Sequence, residues 1–283
     1  VTLKFAADGP TRPVEPPLVE IRRHAIDAIR DLVYRESGIA LNEAKSGLVE
    51  ARLQERIEQL RLKNPGEYLA LLQRDSSGAE LTALLDRMTT NVTSFFRDPE
   101  HIAELDKWAI ERRRVGGRSF RVWSAGCSSG QEPYSIAIRL AETLGREFDW
   151  RVLATDLSTR KLDEAARGVY AVAELATVPT ELAGRWFHPA GPGWVEADAF
   201  LKTRVVVGKL NLLHRPFPMR GPFDVIFCRY VMMYFDTPVR MALLQEYARL
   251  LAPGGYLFIG RGEAIEARLP QLQMVRPSVF RRV

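Results

Sequence analysis

The sequence predicts a chain in two parts, an all-helical N-terminal domain followed by an α/β domain built on a mostly parallel sheet. Three observations predict it. Helical stripes but no strand pattern occur before about residue 89; from Arg118 onward short apolar strands alternate with helices; and the first of those strands breaks into a glycine turn that re-enters a helix. Parallel neighbours need a crossover between them, and the helices that make those crossovers cover both faces of the sheet.

Residues 1 to 17 carry Pro10, Pro13, Pro16 and Pro17 without periodicity and read as a mobile leader. Structure should begin at about Leu18, where Val19, Arg22, Ile26, Ile29 and Val33 make a helical stripe with one polar interruption that ends before Gly38. Asn42 can cap a second helix running to about Leu62, stopped by Asn64-Pro65, and shorter helices cover Pro65 to Arg74 and Gly78 to Met88. The helical domain is therefore 18 to 88. On its second helix Leu48, Leu53, Ile57 and Leu60 form an apolar side while Arg52, Arg56 and Lys63 recur on another, which by pattern alone reads as a solvated basic face.

The α/β domain, 89 to 283, reads as strand 120 to 124, helix 131 to 145, strand 151 to 155, helix 158 to 167, strand 223 to 228, helix 237 to 251 and strand 255 to 259. Proline and glycine in Leu251-Ala-Pro-Gly-Gly-Tyr256 stop the last long helix before the chain re-enters a strand. Segment 186 to 208 interrupts the alternation. Gly191-Pro-Gly193 followed by Val205-Val-Val-Gly208 predicts a small hairpin or antiparallel β insert there.

Ligands of open parallel sheets bind at the strands' carboxyl ends, and the polar features collect there. Gly126 and Gly130, with Ala125, Ser128 and Ser129, put no bulky side chain between backbone and a nucleotide or nucleoside, and the helix that follows presents free N–H groups to an anion. The same turn could be only a tight connection, and its spacing is neither G-x-G-x-x-G nor a phosphate loop. Asp156 closes the next strand, where a carboxylate can take both ribose hydroxyls of a nucleoside. Arg229, Tyr230 and Tyr234 crowd the exit of strand 223 to 228.

Composition narrows the partners. The net charge is +5, but basic residues are interleaved with acids and only Glu111-Arg-Arg-Arg114 and Arg281-Arg282 form runs, which argues against nucleic acid. A mild positive bias also suits a partner rich in carboxylates, and charge alone does not choose. No apolar run approaches a membrane span, so direct membrane insertion is not expected, and acid and prolines come too soon for a signal peptide. The expected location is cytoplasmic, with Cys127 and Cys228 as thiols. His24, His101, His188 and His214 are scattered without ligand spacing, and no metal is assigned.

Several runs together carry a family resemblance. Asn91-x-Thr93-x-Phe95-Phe96-Arg97-Asp98, Ser124-Ala-Gly-Cys-Ser-Ser-Gly-Gln-Glu-Pro-Tyr-Ser135, Ala154-Thr-Asp156, Asn211-Leu212 and Phe223-Asp-Val-Ile-Phe-Cys-Arg-Tyr-Val-Met-Met-Tyr-Phe-Asp236 resemble, in order and spacing, the chemotaxis receptor glutamate methyltransferases of the CheR family. The resemblance reaches from the N-terminal helices to Gly260-Arg-Gly-Glu263. It implies a Rossmann-like S-adenosylmethionine methyltransferase domain that esterifies glutamates of a chemoreceptor's cytoplasmic helical bundle. Implied cofactor contacts are Asn91, Thr93, Arg97, Ala125, Gly126, Glu132, Asp156, Asn211, Leu212, Arg229 and Tyr230. Glu132 would meet the methionine ammonium, or could instead be a first-turn acid on its helix dipole. Arg97 and Tyr234 are the implied catalytic pair, as carboxylate-orienting and methyl-facing groups; the bland alternatives are an ion pair of Arg97 with Asp98 or Glu100, and a half-buried core tyrosine. Lys45, Arg52 and Arg56 fall where the family lays a basic helical face against the receptor.

Departures are informative too. The family usually has Asn at Tyr230, Glu at Gln131, and Gly-His-Ser-Glu at Gly260-Arg-Gly-Glu263. If Tyr230 is a local variation, Asn there should preserve or raise transfer; a large loss would mean a pocket built around the ring. The loop between Arg185 and Asn211 is about three residues shorter than in members that grip a receptor's C-terminal pentapeptide, so independence of that tether is expected. Competing readings are a cofactor-binding regulatory module with little turnover and a methyltransferase with another protein acceptor.

Overall fold

The computed structural model describes residues 18–40, 46–89, 91–263 and 269–283; the expected leader and Lys45 lie outside the described residues. Helices α1 (Leu18–Ser37), α2 (Ser46–Gln59), α3 (Pro65–Arg74) and α4 (Ala79–Met88) form the N-terminal layer. Helices α1, α3 and α4 stop where expected, whereas α2 ends at Gln59 rather than about Leu62, and its expected cap Asn42 lies outside the described residues. Gly38, at φ +73, ends α1, and the Asn64 side chain accepts the Glu67 N–H to start α3 with Pro65 in its first turn. Ile29, Val33, Leu53, Ile57, Tyr68 and Leu84 make the domain's core. Arg56 and Tyr68 both donate to Glu80, Nε at 2.9 Å and Oη at 2.6 Å, stitching α2 and α3 to α4.

The α/β domain follows as α5 (Pro99–Arg114), β1 (Ser119–Ala125), α6 (Gln131–Leu144), β2 (Asp149–Asp156) and α7 (Thr159–Arg167). Next come β3 (Val169–Ala171), α8 (Thr180–Trp186), β4 (Phe187–Pro189), β5 (Trp194–Ala197), α9 (Ala199–Arg204) and β6 (Val205–Lys209). The chain closes with β7 (Phe223–Cys228), α10 (Thr237–Leu250), β8 (Leu251–Ile259), β9 (Leu272–Arg276) and β10 (Val279–Arg282). The main sheet runs β6-β2-β1-β7-β8-β10-β9, parallel through β8 and antiparallel beyond it. Alternate β1 residues serve opposite faces: Phe120 and Val122 pack with Phe95 and Trp150, Trp123 and Ala125 with Phe217 and Tyr247. Because β2 lies on one side of β1 and β7 on the other, the strand order reverses at β1, and a crevice opens there at the carboxyl ends.

The structure redraws the expected insert. Its small sheet is β3-β5-β4, antiparallel, with β4 and β5 joined by the turn Ala190–Gly193. Val205–Lys209 is instead an edge strand of the main sheet, parallel to β2 from Val152↔Val205 to Asp156↔Lys209. A short apolar run reads alike in a hairpin and in a parallel edge, so the pattern of Val205-Val-Val could not separate them. Helix α5 and the β9–β10 hairpin complete the domain without counterparts in the sequence reading. Only His101, Ile102, Leu105 and Ala109 of α5 are buried, a stripe diluted by charged residues.

Glu80 makes the helical domain pH-sensitive. Burial alone would raise its carboxyl, but hydrogen bonds from Arg56 and Tyr68 outweigh that and hold it below the ordinary glutamate range. A depressed folded value contributes stability above the unfolded pKa of about 4.3 and loses it as pH falls through the folded value. Glu80→Gln should therefore melt below wild type at pH 7, with the difference shrinking on acidification; a difference that grows as pH falls would contradict this assignment.

Candidate active site

At the end of β1 the chain must turn within a confined space. Gly126 has φ +87, and a Cβ on it would lie 2.4 Å from the Val231 side chain, so any larger residue would displace the segment after β7. Its N–H and that of Cys127 both reach Thr155 O, at 2.8 and 2.9 Å, folding the turn over the end of β2. That brings Ser128 N to 2.8 Å from Asp156 Oδ2, while Ser158 N donates to Oδ1 at 2.9 Å. Asp156 is only 9% exposed, and burial pushes its carboxyl above the usual range against the pull of these N–H groups. Each oxygen keeps acceptor capacity beyond its one bond, enough for a vicinal diol.

Asp156 borders a pocket between the domains. Asn91, Thr93, Arg97, Gly126, Glu132, Asn211, Leu212, Arg229, Tyr230 and Tyr234 line it as well, so residues far apart in sequence meet at one place. Ala125 is the exception: it lies outside the lining, its side chain 1% exposed and packed in the core beneath the sheet, because pleating turns it away. Ser37 and Ile39 from the end of α1, Met88 and Val92 join the lining unforeseen; nothing in a helical stripe marks its last turn as a pocket wall. Helical and α/β domains are tied across the pocket by Asn211 Nδ2 to Glu36 O at 2.6 Å and by Ala40 N to Tyr234 O at 2.8 Å.

Under the pocket lies a buried charge network. Arg229, its side chain 3% exposed, donates Nε to Glu132 at 2.7 Å and Nη1 to Asp98 at 3.0 Å and to Arg97 O at 2.7 Å. Ser124 Oγ donates to the other Glu132 oxygen at 2.6 Å. Glu132 is thus first a partner of Arg229 while still facing the pocket. Asp98 also accepts from Tyr230 Oη at 2.9 Å, and Glu100 pairs with Arg261. The two acids nearest Arg97 in sequence are therefore taken. Arg97 makes no ion pair among the described residues: its guanidinium lies 3.5 Å above the Tyr230 ring and donates to Val92 O at 3.1 Å. Glu263 accepts from Tyr230 N, Met233 N and Gly260 N, at 2.8, 3.0 and 2.6 Å, holding the segment that bears Tyr230 and Tyr234.

The basic residues of α2 have internal partners. Arg52 donates to Met88 O and Thr89 O, both at 3.2 Å, at the end of α4, and Arg56 pairs with Glu80. Both still border a groove shared with Arg87, Arg160 and Lys161 that reaches Asn91. Among the described residues no helix is long and apolar enough to cross a membrane.

Residues 91–279 match the CheR methyltransferase SAM binding domain and residues 24–89 the CheR all-alpha domain. The chain belongs to the CheR methyltransferase family. It is 41% identical over 256 residues to a chemotaxis protein methyltransferase of Salmonella typhimurium, covering 89% of this chain and 88% of that one. An Escherichia coli chemotaxis protein methyltransferase is 41% identical over 239 residues, 83% of this chain and 82% of its own, and chemotaxis protein methyltransferase 2 of Pseudomonas aeruginosa is 39% identical over 249, 85% and 86%. Like the CheR family, the chain is an S-adenosylmethionine-dependent methyltransferase. Its pocket suits that cofactor chemically: a buried carboxylate with spare acceptors for a diol, a second carboxylate for an ammonium, an arginine, and apolar cover from Leu212.

Asp156→Asn should weaken S-adenosylhomocysteine binding by about tenfold or more, the scale of a lost charge-assisted hydrogen bond. Titration calorimetry on a variant of normal melting temperature checks it; unchanged affinity would take Asp156 out of the cofactor site.

Proposed function

We propose that the chain methylates glutamate side chains in the cytoplasmic helical bundle of a chemoreceptor, giving glutamyl methyl esters. The observation that carries this reading is Arg97, a pocket-lining cation with no carboxylate partner among the described residues. A protein with Asp98 and Glu100 beside that arginine has paired both elsewhere, which leaves the charge for an incoming carboxylate.

Bound S-adenosylmethionine supplies an electrophilic methyl on a positive sulfur, and transfer to an ionised carboxylate forms one C–O bond, breaks one C–S bond and cancels both charges. Little acid or base is needed. What the protein must supply is alignment of the attacking oxygen and removal of its water. Arg97 would hold the carboxylate oxygen that does not react, and Tyr234, on the same wall, would face the methyl. Asp156 would fix the ribose and Glu132 the ammonium at the other end, with Asn211 and Leu212 by the adenine. Lys45, Arg52 and Arg56, with the neighbouring basic groove, would meet the receptor's acidic surface.

The small sheet supports independence of a C-terminal pentapeptide. Both of its edges, β3 and β4, are three residues long, and the β4–β5 turn is closed by Ala190 N to Trp194 O at 2.9 Å, so little edge is left for strand addition.

Radiolabel transfer to a receptor cytoplasmic fragment tests the reading. Label should appear on the receptor and leave as methanol in mild alkali, as an ester does. Arg97→Ala should lower transfer by about a hundredfold, the scale of losing a transition-state-facing donor, with little change in melting. Removing the receptor's last five residues should leave the rate nearly unchanged. Alkali-stable label would mean another acceptor group, and cofactor binding without transfer would mean a regulatory module.

A further inference from the structure

Tyr230 stands two residues beyond the end of β7 on the pocket wall, and the structure gives the ring a specific employment. We infer that Tyr230 is a positioning residue for Arg97, seating the guanidinium on its face so that the cation is held without being neutralised. This rests on the proposed acceptor role of Arg97.

The geometry supports it from both sides. On the arginine side, Cζ sits 3.5 Å from the ring centroid and Nη1 donates to Val92 O at 3.1 Å, so both contacts are with uncharged groups. A ring face attracts a cation through its quadrupole yet leaves the full positive charge for a carboxylate, whereas an Asp or Glu partner would compete with the acceptor. On the tyrosine side, the ring is fixed at both ends. Its hydroxyl donates to Asp98 Oδ2 at 2.9 Å, its backbone N–H donates to Glu263 at 2.8 Å, and Asp98 is itself held by Arg229 at 3.0 Å. Partial burial and the bond to Asp98 raise the phenol above its ordinary range, so it stays protonated and donating.

Backbone conformation makes the choice of residue more telling. Tyr230 has φ +60, in the left-handed region where asparagine is far more at home than tyrosine. The backbone around it is close-packed as well: a Cβ on Gly260 would lie 2.6 Å from Glu263 Oε2, 2.7 Å from Tyr230 N and 2.9 Å from Tyr230 Cδ1. A bulky aromatic thus sits in a strained backbone position, and its contacts run to Arg97 and to Asp98. Strain of this kind persists where surrounding structure over-determines it, and such residues cluster at active sites.

The test is a double-mutant cycle, measuring receptor-fragment methylation, S-adenosylhomocysteine affinity and melting for Tyr230→Phe, Tyr230→Asn, Tyr230→Leu, Arg97→Ala and the Arg97→Ala, Tyr230→Leu pair. Tyr230→Leu should lower kcat/KM for the receptor by about tenfold while changing cofactor affinity less than about threefold, as expected when a stacked cation loses its seat. Tyr230→Phe keeps the ring and should lose less. Tyr230→Asn relieves the backbone strain but gives up the bond to Asp98, so melting and kcat/KM are read together: kcat/KM should fall by more than the loss of folded protein accounts for, which a packing role would not produce. In the Arg97→Ala background, Tyr230→Leu should cost less than about threefold, because its effect runs through the arginine. Equal losses from Tyr230→Leu in both backgrounds, or Tyr230→Asn with wild-type kcat/KM, would overturn the inference while leaving the role of Arg97 intact. Full activity in Arg97→Ala would overturn both.

Discussion

A buried guanidinium organises the site. Arg229 stands at the exit of the central strand β7, and its bonds to Glu132 and Asp98 join the first turn of α6 to the residue before α5. Such charges are tolerable in the interior only as a set, since each ion loses several kcal/mol of hydration and recovers it from good geometry and further hydrogen bonds. Here the set is well satisfied: Ser124 completes Glu132, Tyr230 completes Asp98, and Arg97 O takes a further guanidinium N–H. Removing one member would strand its partners, a loss of about 3–5 kcal/mol in comparable buried pairs. The consequence for chemistry is indirect but decisive. By engaging Asp98, Arg229 deprives Arg97 of its nearest counter-charge in sequence, and a cation that would otherwise be neutralised locally is left on the pocket wall.

A second constraint couples the domains. The pocket is closed on one side by the end of α1, where Gly38 turns the chain so that Ala40 N can reach Tyr234 O and Glu36 O can accept from Asn211. Tyr234 packs against the helical domain's core, and on the far side of the pocket Thr159, at the start of α7, binds the Asp86 carboxylate of α4 through N and Oγ1 at 3.1 and 3.2 Å. The walls of the pocket are therefore set by one interdomain fit. The helical domain thereby furnishes part of the pocket's enclosure, through Ser37, Ile39, Met88 and Thr89.

Legibility in the sequence followed the range of the interactions involved. Strands β1, β2 and β7 and helices α6 and α10 could be read because each is a periodic or apolar run with its own turn signals, and Asp156 because a carboxylate at a strand end has a recognised use. Helix α5 was not legible, since its narrow buried stripe is submerged among charges, nor was the identity of β6, whose valines suit either sheet. Asn91, Thr93, Arg97, Glu132, Asn211 and Leu212 were named through family resemblance alone, Gly126, Asp156, Arg229, Tyr230 and Tyr234 also from their own place at strand ends, and the structure gathers all of these but not Ala125 at the pocket. The partners Asp98 and Glu263 were missed as organisers because the contacts that matter, Asp98 with Arg229 and Glu263 with Tyr230, join residues 131 and 33 positions apart. For the same reason the sequence could present Arg52 and Arg56 as a free basic face, where the fold gives Arg52 two helix-end carbonyls and Arg56 a carboxylate.

The most direct measurement is a crystal structure of the complex with S-adenosylhomocysteine. The account predicts ribose hydroxyls within hydrogen-bond distance of Asp156, the ammonium near Glu132, and the sulfur directed at the space between Arg97 and Tyr234, with the Arg229 network unchanged. A ligand whose sulfur faces away from Arg97, or whose binding draws Arg97 into a pair with Asp98, would contradict it.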